Sequence, residues 1–185
     1  MKNIFKISLI CLLISSVSCK KEDPFLITAE GIGNLKKTST VAELEQIFAK
    51  DSIVKHIAGD EFLGTANEIE IYDKQGNQLL ILEATEEFDS TATIKTVRVV
   101  DPRFKTEKGF NSKGIFKDLK DNYTISRITN TLSVAMISID EINAYVAINK
   151  KELPKELLFD TKSKIEAVQI PDEAKIKYFF LDWEN

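Results

Sequence analysis

Glu68-Ile69-Glu70-Ile71-Tyr72, the short polar stretch Lys74-Gln75-Gly76-Asn77, and Leu79-Leu80-Ile81-Leu82 together decide the fold. The first segment alternates polar and apolar residues at period two, the spacing that sends successive side chains to opposite faces of a sheet. Gly76 and Asn77 supply turn chemistry, and the second apolar run follows at once, so the pair predicts an antiparallel hairpin. Residues 92–101, rich in Val, Ile and Thr, predict a further strand that Pro102 ends.

Working outward, residues 40–50 predict a helix. Thr40 and Glu43 have the spacing of a capping box, and Val41, Leu44, Ile47 and Phe48 fall on one helical face. A second cycle follows Pro102. Residues 114–123 align with residues 39–48 so that Val41 pairs with Phe116, Leu44 with Leu119 and Phe48 with Tyr123. Strand signals come after it at residues 124–128, 132–139, 142–148, 165–170 and 175–183. The expected class is α+β, mainly antiparallel sheet with two short helices. A duplicated helix-plus-sheet unit, with halves at 29–101 and 102–185, competes with chance similarity of two amphipathic helices.

The N-terminus carries a different kind of signal. Lys2 and Lys6 precede the apolar residues 7–14, too few to span a bilayer as a folded helix, and Ser15-Ser16-Val17-Ser18 lead to Cys19. Ser16-Val17-Ser18-Cys19 resembles a bacterial lipobox, relaxed in having Ser16 where a larger aliphatic residue is usual. The expectation is a signal peptide at 1–18, lipidation at Cys19, a lipidated tether at 19–28 and one domain at 29–185. A soluble secreted protein with a free Cys19 thiol is the competing reading. Lys20, rather than Asp, follows the cysteine, which favours an outer-membrane destination over the inner membrane and leaves periplasmic and surface exposure both open.

Composition excludes several function classes. Removing residues 1–18 leaves 167 residues, with 23 Lys and Arg against 29 Asp and Glu, a net charge of −6. Only Arg98, Arg103 and Arg127 are arginines, so no concentrated positive surface for nucleic acid is expected. Cys11 leaves with the signal and Cys19 takes lipid, so the domain has no thiolate for a disulfide, a nucleophile or a metal.

The same stretches carry a family resemblance. Gly31-Ile32-Gly33-Asn34-Leu35 leading to Ser39-Thr40, Val97-Arg98-Val99-Val100-Asp101, Phe116-Lys117-Asp118-Leu119, and Lys177-Tyr178-Phe179-Phe180-Leu181-Asp182-Trp183 occur in an order similar to that of the RpoE-regulated lipoprotein family. The resemblance spans most of residues 30–183. It implies a small envelope lipoprotein with a lipobox and a domain of unknown function, and it implies no catalytic residue. The chain departs from the family at Ser112-Lys113-Gly114-Ile115, where an Ile-Gly-Thr-like segment is usual, so no shared ligand contact is assigned there.

Judged directly, the residues offer little chemistry. His56, the one histidine, could combine with Asp60 and Glu61 only into a weak metal site, and a triad would have to use it alone without a Gly-x-Ser-x-Gly elbow. Gly31-x-Gly33 lacks the third glycine of a dinucleotide fingerprint. Glu83, Glu86, Glu87 and Asp89 read as a solvated face without the spacing of a tight calcium loop. No cofactor is expected.

The loop from Asp101 to Phe110 is the expected recognition surface. Arg103, Lys105 and Lys108 would meet an anionic glycan, headgroup or acidic protein, with Phe104 and Phe110 as apolar anchors. Docking of those aromatics on the core is the plainer reading. The function expected is a non-enzymatic binding or assembly module, held at the membrane by its N-terminal lipid and meeting an envelope protein or glycan. A carboxylate-dependent hydrolase of envelope glycans and a carrier with an apolar cavity are the alternatives.

Overall fold

The computed structural model describes residues 23–55 and 68–184. Cys19, the signal segment and His56 with Asp60 and Glu61 lie outside the described residues. In chain order the elements are β1 (Leu26–Thr28), β2 (Gly31–Ile32), β3 (Leu35–Lys36), α1 (Leu44–Ile47), β4 (Ser52–Lys55), β5 (Glu68–Tyr72), β6 (Gln78–Ala84) and β7 (Ile94–Val99). They continue as β8 (Lys105–Thr106), α2 (Phe116–Asn122), β9 (Arg127–Asn130), β10 (Val134–Ile139), β11 (Ala144–Asn149) and β12 (Ile176–Asp182). A small sheet runs β3-β2-β1-β8, and a large one β4-β5-β6-β7-β12-β11-β10-β9. Every pairing in the large sheet is antiparallel. The α+β class with two short helices is what the structure shows.

Period-two alternation sets the two faces. Ile71, Leu80, Val99, Phe179, Val146 and Ile137 lie opposite one another in a transverse row, and each is at most 2% exposed. Ile27, Ile32 and Leu35 of the small sheet, Leu44 of α1 and Phe116 and Leu119 of α2 join this row in one core. The other face carries a parallel row, Glu70, Ile81, Arg98, Phe180, Tyr145 and Ser138. Most of those residues are half-exposed. One face thus holds the core and the other meets the surroundings.

The two halves repeat one plan. Each runs a short helix and then four strands in simple succession, and the last strands of the halves, β7 and β12, pair at the centre. Thr40, ahead of the first helix, bridges Thr93 just before β7; Ile115, ahead of the second, bridges Lys175 just before β12. The Val41 N–H donates to Ala92 O and the Phe116 N–H to Ala174 O, both at 2.9 Å. The next residues do the same, Ala42 to Ser90 O at 2.8 Å and Lys117 to Asp172 O at 2.9 Å. These equivalences follow the alignment read in the sequence. Leu44 and Leu119 are both fully buried, and their carbonyls accept from the Phe48 and Tyr123 N–H groups, each at 2.9 Å. The Glu43 carboxylate accepts from the Thr40 N–H at 2.8 Å, one half of the expected capping box.

Three expectations need correction. Residues 26–28, assigned to the tether, form β1 of the small sheet, because Ile27 is 1% exposed and Phe25 O accepts from the Lys105 N–H. Gly33, at φ +54°, lets the β2–β3 turn close on this segment; a Cβ there would sit 2.3 Å from Pro24 O. Residues 165–170 are no strand. Ile165 and Ile170 are buried, but their odd spacing cannot place both on one face of a strand, and the chain between them makes a 3₁₀ turn at Ala167–Gln169. The strand expected at 124–128 starts only at Arg127, because Glu141 holds the Thr124 N–H and Ser138 O the Ser126 N–H in the turn before it.

Candidate functional site

The loop after β7 folds back because Asp101 caps it: its carboxylate accepts from the Arg103 N–H at 2.8 Å. That turn delivers the Arg103 guanidinium to two carboxylates. Nε lies 3.0 and 3.1 Å from the Asp101 oxygens, and Nη2 lies 2.8 Å from Asp101 Oδ2 and 2.7 Å from Asp73 Oδ2. The guanidinium carbon also sits 5.0 Å from the centre of the Phe25 ring. Arg103 therefore ties the β5–β6 turn, the end of β7 and the start of the domain together. With Nε and Nη2 both engaged by carboxylates, the guanidinium acts as a clamp between Asp73 and Asp101.

The other residues of the expected recognition loop separate. Phe104 and Phe110 are each 3% exposed, so neither is a surface anchor. Phe104 packs its ring edge-on against Phe25 at 5.0 Å, and Phe110 packs on Phe179 at 5.3 Å. Lys108 donates to Asn122 O at 2.6 Å and to the Glu141 carboxylate at 3.0 Å, and its ammonium stands 4.3 Å from the Tyr123 ring centre. Lys105 stays exposed on β8. The structure does not gather Arg103, Lys105 and Lys108 into one free cationic patch; Arg103 and Lys108 are internal braces at opposite ends of the loop.

The two carboxyls that grip Arg103 are both held toward the ionised form. Burial works to raise the Asp73 carboxyl, but bonds from the Asn77 side chain, Arg103 and the backbone N–H groups of Asn77 and Gln75 outweigh it and hold it at about 2. Arg103 likewise holds Asp101 below the usual carboxylate range. Asp51 moves the other way, raised by burial and by the nearby Asp73 charge. A general acid on the Asp73–Arg103–Asp101 cluster would need a raised carboxyl, and both carboxyls there are lowered.

A pH dependence follows. A carboxyl whose folded value lies near 2, against an ordinary 3.8, contributes stability that is full above about pH 4 and is lost as the pH falls toward 2. Asp73→Asn is therefore expected to lower the urea midpoint at pH 7 and to flatten its decline between about pH 4 and pH 2. An acid limb of unchanged slope would show that Asp73 is not its source.

Shallow polar grooves flank the helices. Asn34, Ser39, Glu43, Gln46 and Ile47 line one of about 340 Å³. Lys108, Gly109, Phe110, Asn111, Gly114, Asp118 and Asn122 line another of about 220 Å³. Three of the lining positions are matched by the helix alignment: Ser39 with Gly114, Glu43 with Asp118 and Ile47 with Asn122. In each the acidic residue is occupied, Glu43 by the Thr40 N–H and Asp118 by the Ile115 N–H at 3.1 Å. The sequence reading aligned these helices without seeing the grooves, which need the loop ahead of each helix to be placed. Among the described residues, no group of three or more His, Cys, Asp or Glu side chains could hold a metal ion.

The feature the sequence reading missed is the uncovered face of the large sheet. Tyr145 and Phe180, opposite each other on β11 and β12, stack at 4.7 Å and 18°. Tyr178, 38% exposed, meets Phe180 edge-on at 5.9 Å, and the Arg98 guanidinium lies 5.5 Å from its ring centre. The signal lay in Lys177-Tyr178-Phe179-Phe180, where three aromatics in a row must place at least one on each face.

This two-sheet arrangement has a counterpart among solved structures. The chain shares its fold with yfeY. The crystal structure of the uncharacterized protein yfeY from Escherichia coli superposes with a TM-score of 0.50 at 14% identity, covering 84% of this chain and 98% of that one. At that identity the likeness to yfeY is one of architecture. No family model matches the chain, and no curated protein matches it.

Proposed function

We propose that the protein is a cell-envelope lipoprotein of the RpoE-regulated lipoprotein type, anchored in the outer membrane through Cys19, that acts without catalysis by docking a protein component of the envelope. The observation that carries the docking role is the uncovered sheet face, where Tyr178, Phe180 and Tyr145 stand beside Arg98, Ile81 and Met136. Tyr, Phe, Met and Arg are the residue types that protein interfaces concentrate, and a half-exposed aromatic row leaves apolar area for a partner to bury. The anchor is supported by the segment from Lys2 to Cys19 and by the fold, which begins only a few residues beyond Cys19.

The test is a photo-crosslinking residue at Tyr178 in the full-length protein in cells. A discrete adduct with one envelope protein is expected, and Tyr145→Ser with Phe180→Ser should remove most of it. A control crosslinker at Lys117 on α2 should give none. Absence of a Tyr178 adduct, or an adduct indifferent to the serine substitutions, rejects the sheet face as the docking surface.

A further inference from the structure

We propose that the protein touches the membrane a second time, through Leu132 and Phe159, which enter the boundary between headgroups and acyl chains. This rests on the anchor at Cys19 and states how the domain stands once anchored. Leu132 is 80% exposed and Phe159 91% exposed. Single exposed apolar residues are ordinary, but the two loops that carry these are bonded to one another. The Nδ2 of Asn130 donates to Asp160 O at 3.0 Å and to Ser163 O at 2.8 Å. The Lys150 N–H donates to Ser133 O at 3.0 Å, while its ammonium donates to Leu157 O at 2.9 Å and also to Asp160 O. The residues flanking Leu132 are thus bonded to residues flanking Phe159.

Lys150 makes the arrangement rigid. It is 3% exposed, and a buried ammonium persists only where its donors are satisfied. A lysine is buried here to fix two loops whose large apolar side chains are left bare.

Position identifies what covers them. Antiparallel register puts the end of β7, the start of β12, the end of β11 and the start of β10 at one end of the large sheet. Leu132 lies just before β10 and Phe159 in the connection after β11, so both stand at that end. The chain also enters the fold there, since Phe25 packs against Arg103, which follows β7 and pairs with Asp101. From Cys19 to Asp23, whose carbonyl already accepts from the Leu26 N–H, four residues reach at most about 14 Å. β7 and β10 are three strand spacings apart, again about 14 Å. A lipid at Cys19 therefore holds this end of the sheet toward the bilayer, with Leu132 and Phe159 on its rim. Lys151, Lys155 and Lys162 are exposed on the same connection and suit lipid phosphates, while Lys164 pairs with Glu166 at 2.9 Å.

The experiment couples the mature chain, residues 19–185, through Cys19 Sγ to a maleimide-headgroup phospholipid. The vesicles are phosphatidylethanolamine and phosphatidylglycerol with brominated acyl chains. Trp183, the only tryptophan, lies at the opposite end of the sheet, where its backbone N–H donates to Lys95 O at 2.7 Å, and serves as the internal reference. In Phe159→Trp, the added emission should be largely quenched by bromine and that of Trp183 should not. Added emission that survives bromine, in protein that floats with the vesicles and melts like the parent, overturns the proposal and leaves a protein partner for these residues. Because the coupling is chemical, the result does not depend on whether cells acylate Cys19; the mass of the native N-terminal peptide decides that separately.

Discussion

Phe179→Ala is expected to reduce the unfolding free energy by about 3–5 kcal/mol, a large share of the 5–15 kcal/mol typical of a domain. Phe179 is fully buried at the seam where the two halves meet, opposite Val99 on β7 and Val146 on β11, with the Phe110 ring against it. Both flanking strands are held by their own ladders, so the space left by the ring cannot close by a local shift. Phe180→Ala, on the uncovered face, is the control: it loses a half-exposed ring and its stacking on Tyr145, on the order of 1 kcal/mol. Urea unfolding of the two variants measures the contrast. Equal losses would mean that the faces are not distinguished as the register assigns them.

Cys19→Ala should have the largest effect outside stability, moving the protein from the membrane pellet to the soluble fraction. Each buried CH₂ of an acyl chain is worth about 0.8 kcal/mol, and stable anchoring takes two or more chains, so removing the acylated sulfur removes nearly all of the attachment. Stability should not change, because among the described residues the hydrogen bonds that tie in the start of the domain are made by Asp23 and the residues after it. Membrane fractionation in moderate salt, with urea unfolding alongside, reads both. Full retention of the variant in the pellet would reject the lipid anchor and return the free-thiol reading of Cys19.

What the sequence disclosed was whatever repeats along the chain. Glu68 to Tyr72 announced its strand through alternation, and the spacing of Leu44 and Phe48, matched by Leu119 and Tyr123, announced both helices and their equivalence. Two-residue strands such as Lys105–Thr106 carry no period, and β1 was hidden behind the charged residues that precede it. Residues of the loop from Asp101 to Phe110 have partners that the sequence does not display, for a related reason. Arg103 has one partner nearby in the sequence, Asp101, but the second, Asp73, is thirty positions away. Phe104 and Phe110 looked like anchors because nothing local shows Phe25 and Phe179 waiting for them. Cation and aromatic in a loop specify a recognition surface only after long-range pairing has been subtracted.

The position of β12 carries a further consequence, for synthesis and for damage. It is the last strand among the described residues, yet it lies in the middle of the large sheet, between β7 and β11. During translation β4 to β7 can form, but β7 keeps an open edge until residues 176–182 have emerged, some eighty positions later. Completion of the sheet is thus a late, non-local event of the kind that slows folding and leaves strand edges open to mispairing. Loss of residues 176–182 would not trim a border strand; it would part the large sheet down its centre.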